Sequence, residues 1–166
     1  MALGTCRFCG ETAEIRQSHI IPEFVFRPLY DSKGRALSLP ADGRTNYLQK
    51  GFRAPLLCDH CEKFFNEKFE KRFKRLYVDT DRLPRVAFRK KYKLAVADYS
   101  KLKLLLLSVL WRAGVCDEYP FESIHLGSHE ETLRRMLATE DAGEAESFPV
   151  FAYLAFSLAV GALPHS

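Results

Sequence analysis

Apolar positions recur along this chain with two different periods, and the changes of period divide it into elements. Phe64, Phe65, Phe69, Phe73 and Leu76 recur at helical spacing with Lys and Glu between them, which predicts a helix over residues 61–77. Residues 101–115 are apolar on nearly every face, through the four leucines from Leu104 to Leu107 and Trp111, and predict a core helix with Ser100 as its N-cap. Lys103, Ser108 and Arg112 interrupt that run and leave it short of the roughly 18 apolar residues that span a bilayer. A further helix is predicted over 129–138, capped by Ser128, with Glu130 and Glu131 at its positive end and Arg134 and Arg135 further on.

The period of two is weaker. Residues 11–18 read as a short polar strand or turn, 52–57 as a strand, and 85–97 as a loosely alternating strand rich in β-formers. A short helix is predicted after Pro22 and is cut by Pro28. Residues 31–50, with two glycine-containing turn sequences, read as loop and hairpin. Residues 79–84 form a break, 121–126 a short element and 141–147 an acidic linker. Residues 148–162 are apolar and aromatic, and fit a strand pair or a helix equally.

Four of the five cysteines fall in two C-x-x-C pairs, Cys6 with Cys9 and Cys58 with Cys61. Two such pairs supply four soft thiolates, enough to close a tetrahedral structural Zn²⁺ site with no open position. Gly10 follows the first pair and can take positive φ, turning backbone N–H groups toward the thiolates. The second pair stands where the predicted basic helix begins, so the helix dipole would favour its thiolates. Knuckle, hairpin and ligand-bearing helix together predict a treble clef, with the 48 residues between the pairs looping out.

Charge divides the chain unevenly. Residues 1–99 hold 20 Lys and Arg against 12 Asp and Glu, and residues 100–166 hold 5 against 9, within a net charge of +4. The basic half carries the paired cysteines, which favours a polyanion partner, nucleic acid above all. Lys63, Lys68, Lys71, Arg72, Lys74 and Arg75 decorate the basic helix, and Arg85, Arg89, Lys90, Lys91 and Lys93 follow. Such groups bind phosphates without reading sequence, though a solvated surface has the same composition. Phe88 and Tyr92 suit either base stacking or the core. Reduced cysteines at metal spacing, without a secretory signal, point to the cytoplasm.

His19 lies after the first knuckle, preceded by Ser18 and followed by Ile20, Ile21 and Pro22. It reads either as a hydrogen-bonded core histidine or as a functional group. His60, between two zinc ligands, is expected to face solvent because four thiolates already complete the shell. Cys116 is expected to be a reduced core cysteine.

On the C-x-x-C-G, SHIIP (18–22) and LLCDHCE (56–62) segments, the sequence resembles the HNH nuclease superfamily in its cysteine-bearing ββα-metal form. That likeness runs from Cys6 to about Phe73. A looser one, to uncharacterised bacterial HNH-like proteins, extends through SVLWRA (108–113) and LGSHEETLR (126–134). The resemblance implies a metal-dependent endonuclease that hydrolyses DNA phosphodiester bonds, in defence against phage or mobile DNA. It assigns His19 as general base on a water, with Mg²⁺ or Mn²⁺ holding the scissile phosphate. The family's residue before that histidine is usually a metal ligand, and here it is Ser18. The residue after the last cysteine is often His or Asn, and here it is Glu62, a carboxylate able to bind Mg²⁺. The family's central Asn is not evident; Arg53 stands near its place and can clamp phosphate. The alternative is a catalytically inactive zinc-stabilised module that binds nucleic acid or protein.

The expected architecture is therefore α+β: a treble-clef ββα-metal module over 1–78 and a mainly helical extension over 79–166. That extension packs on the module, or forms a homodimer or partner interface.

Overall fold

A computed structural model of the chain describes residues 2–38, 46–75 and 96–150. The expected strand over 85–95, the break at 79–84, most of the apolar C-terminal element, and Phe88, Tyr92 and their basic neighbours lie outside the described residues. Among those described, the fold is mixed α and β with two small sheets.

The first sheet is antiparallel, in the order β1 (Leu3–Thr5), β2 (Thr12–His19), β5 (Arg53–Cys58). Of residues 11–18, readable as strand or turn, all but Glu11 are strand, and the strand extends to His19. Ser18 faces Ala54 and His19 faces Arg53, but the register slips between Arg16 and Gln17, where Leu56 is the extra residue on β5. The bulge breaks strict alternation and lets Leu56, Leu57 and Cys58 all be buried. Pro55 fits because β5 lies at the sheet's edge, where a missing donor is tolerated. The expected hairpin is a separate ribbon, β3 (Arg35–Ser38) against β4 (Asn46–Gln49). Between β2 and β3 lies the short helix α1 (Glu23–Phe26), continued by a 3₁₀ turn, Arg27–Leu29.

The basic helix starts two residues earlier than the pattern predicts. Cys58 is extended and occupies the N-cap position, so α2 (Asp59–Phe65) begins between the two cysteines. A π-helical turn (Asn66–Glu70) follows and leads into α3 (Lys71–Phe73).

The core helix α4 (Val96–Gly114) is also longer than expected. Ser100 therefore lies inside it and is not its N-cap, and Val96 and Ala97 are helical, not strand. Helix α5 (His129–Ala138) has the expected bounds, with Ser128 at the N-cap position but no side-chain capping bond. The three polar residues that interrupt α4's apolar run are themselves buried. Lys103 donates to the carbonyls of Glu144 (2.7 Å) and Ser147 (2.6 Å), and Ser108 to that of Leu105 (2.7 Å). Buried polar groups need such partners, because an unmet one loses its hydration without compensation.

One core cluster among the described residues draws on both halves of the chain, from Cys6, Phe8 and Leu57 to Leu105, Trp111 and Leu133. Phe8, inside the first knuckle, meets Trp111 edge-on at 5.3 Å and Phe65 at 4.8 Å. Arg134 donates to the Phe8 carbonyl (3.2 Å), and Arg7 pairs with Asp117. Helices α4 and α5 are thus packed directly on the knuckle. No described helix is long and apolar enough to cross a membrane.

Candidate functional site

The four thiols of Cys6, Cys9, Cys58 and Cys61 lie within 4.8 Å of one another. Cys9 and Cys58 Sγ are 3.9 Å apart, and none of the four forms a disulfide. A tetrahedral ion with metal–sulfur bonds of about 2.3 Å sets its sulfurs about 3.8 Å apart, so the donor set fits such an ion. Gly10 takes φ +79° and its N–H donates to the Cys6 carbonyl at 2.9 Å, closing the knuckle. The Cys58 N–H donates to Cys6 Sγ at 3.3 Å, tying the two knuckles together.

Electrostatics favour a cation here. Burial raises the Cys6 thiol, but N–H groups of Cys9, Cys58 and Phe8 outweigh it and bring its pKa down to about 7. Cys61 is pushed far up, first by burial and then by its neighbouring thiols. Four thiolates this close cannot all ionise without a compensating positive charge. Cys6, Cys58 and Cys61 are buried, and Cys9 is exposed. His60 is exposed, as its position between two ligands predicts.

A second constellation lies across β2 and α2. His19 ends β2 and is half-buried, and its Nε2 is buried without a hydrogen-bond partner among the described residues. It is therefore not the satisfied core histidine that its apolar setting allows. Glu62, one residue beyond Cys61, points inward, and its Oε2 is likewise buried and unpartnered. Burial pushes the Glu62 carboxyl above its ordinary range and Glu70 adds to this, while Ser18, Arg112 and His19 oppose it. Ser18 is fully buried, accepts from the Leu57 N–H at 3.3 Å, and lies close enough to the Glu62 carboxyl to favour its ionised form.

Two members of this network carry no signal in the sequence pattern. Arg112, 1% exposed, donates through Nη1 to the His19 carbonyl (2.6 Å) and to Glu70 Oε1 (2.7 Å). Glu70 reads as a solvated acid on a basic helix, yet it turns inward. On a regular α-helix Glu62 and Glu70 would point about 80° apart. The wider π turn between them reduces that angle and brings both carboxylates to the face beneath α4.

Compared with protein-family models, curated proteins and solved structures, the chain matches none. The site's chemistry must therefore be argued from its geometry. Arg53 is exposed and faces His19 across the β2–β5 pair, at the same end of the sheet. Of the cations expected on the basic helix, Lys63 pairs with Asp59 (2.6 Å) and Lys68 with Glu140 (2.5 Å). Lys71, Arg72 and Arg75 are exposed.

Proposed function

We propose that this chain is a metal-dependent endonuclease of the HNH type, cleaving DNA beside a structural zinc. The observation that carries this reading is that His19 and Glu62, 43 residues apart in sequence, lie within electrostatic reach of each other, each with a buried side-chain atom that has no partner among the described residues. In this reading β2, β5 and α2 form the treble clef, and the four thiolates hold the zinc. His19 Nε2, with no protein partner, is the group that accepts a proton from the attacking water. Glu62 offers Oε2 to a divalent cation, with Ser18 beside it favouring the ionised carboxylate. Such a cation, Mg²⁺ or Mn²⁺, would stabilise charge on the scissile phosphate and leaving oxygen. Arg53, with exposed Lys71, Arg72 and Arg75, would supply phosphate contacts that weaken with added salt.

The test is cleavage of supercoiled plasmid by zinc-loaded protein with Mg²⁺, Mn²⁺ or EDTA, beside His19→Ala. Metal-dependent nicking that disappears in His19→Ala supports the proposal; equal nicking by both proteins removes His19 as the base.

Ser18 favours a second reading. It is fully buried and its hydroxyl accepts from the Leu57 N–H, so it does not serve as the family's usual metal ligand. A non-catalytic zinc-stabilised module would bind DNA with strong salt dependence and cleave it with neither metal.

A further inference from the structure

We infer that Arg112 is the positioning residue of the His19–Glu62 site, so that helix α4 is part of the active centre. The inference rests on the nuclease reading above and deepens it.

A buried arginine needs several acceptors, because its charge has lost its water. Arg112 finds them on three elements. Its Nη1 reaches the His19 carbonyl at the end of β2 and Glu70 on the π turn. Its Nε donates to the Ser108 carbonyl at 3.2 Å, within its own helix, and the guanidinium lies 5.5 Å over the Phe65 ring. The planar fork is thereby fixed between α4, the strand carrying the proposed base, and the helix carrying the proposed metal ligand. Arg112 lies within electrostatic reach of Glu62 as well and favours its ionised form.

The backbone of His19 is held from both sides. The Ile20 N–H donates to the Phe52 carbonyl at 3.0 Å, and the His19 carbonyl accepts from Arg112 at 2.6 Å. Together these fix the peptide that sets the direction of the imidazole. The ring itself has no partner on Nε2. Its aim therefore depends on its backbone, and the backbone depends on Arg112. A lysine could not replace the fork, since a single ammonium on a flexible stem lacks its fixed geometry. Arg112 is too deeply buried to touch substrate, so its effect passes through His19 and Glu70.

The experiment compares Arg112→Met, the double variant Arg112→Met/Glu70→Gln, and Leu137→Ala in zinc-loaded full-length protein. The double variant removes the charge that Glu70 would otherwise carry unpaired and guards against simple misfolding. Leu137 is a fully buried core residue outside the network, so its replacement controls for lost stability. Three quantities are read well below each variant's melting temperature: kcat, KM for plasmid with Mn²⁺, and the His19 ring resonance, assigned by its absence in His19→Ala. We expect both Arg112 variants to lose at least 100-fold in kcat with KM within threefold, and their His19 resonance to move. Leu137→Ala should keep kcat within threefold and leave that resonance in place. If wild type cleaves and the double variant cleaves equally well, Arg112 has no positioning role and the nuclease reading stands. If wild type does not cleave, the nuclease reading fails, and the resonance decides alone. A shift confined to the Arg112 variants keeps Arg112 as the group that orients His19, and its absence overturns that role.

Discussion

The thiol cluster and the His19–Glu62 network meet on α2, which carries Cys61 and Glu62, yet they are built in opposite ways. The cluster draws on one tight turn and one helix N-terminus, each presenting two cysteines three residues apart, and backbone N–H groups complete it. The network draws on residues from four separated segments: Ser18 and His19, Glu62, Glu70 and Arg112. The cluster can close around one ion and leave no polar group unmet. The network keeps two buried polar atoms without partners. Closed, saturated chemistry holds a fold together, whereas unmet buried groups are where a protein retains capacity to act.

The comparison fails most visibly if the thiols are dispensable. Cys58→Ser should abolish cooperative melting, since structural zinc supplies an apparent folding free energy of about 10–16 kcal/mol. A melting curve like that of wild type, read by circular dichroism, would remove the distinction between the two regions. Trp111→Ala tests whether the regions share a core. Trp111 is fully buried and packs against Phe8 of the first knuckle, so its loss should destabilise by about 3–5 kcal/mol in urea unfolding. Zinc should then also leave at lower chelator concentration; unchanged release would separate the two regions.

Ser18→Ala should cost about 1–3 kcal/mol, because it leaves the Leu57 N–H without its acceptor. An unchanged urea midpoint would mean that the Ser18 hydroxyl does not help to hold Leu57 in the sheet. Glu62→Gln has the smallest and most informative effect. Burial raises the Glu62 pKa, so its contribution to stability is full below the unfolded value and is lost as pH rises through the folded one. The amide avoids that loss. Its melting temperature should exceed that of wild type at pH 8. The gap should narrow toward pH 5.5; one that widened would place the buried charge elsewhere.

The cluster was legible in the sequence because C-x-x-C spacing is local and metal geometry demands it. The helix after Cys58, the hairpin and α5 were legible for the same reason, since each rests on a short-range pattern. Ser100 was misread as a cap because a serine before an apolar run looks the same whether the helix starts there or four residues earlier. Arg112 and Lys103 read as interruptions of an apolar helix. Their partners outside α4 lie more than 40 residues away, and no local period marks them. Glu70's inward turn depends on a π turn that the pattern does not announce.

The most direct test takes one preparation of His19→Ala and measures its zinc content, melting temperature and metal-dependent plasmid cleavage together. A division of labour between the two regions predicts wild-type zinc, a melting temperature within about 2 °C of wild type and no cleavage. Cleavage at the wild-type rate, or loss of zinc with His19, would contradict it.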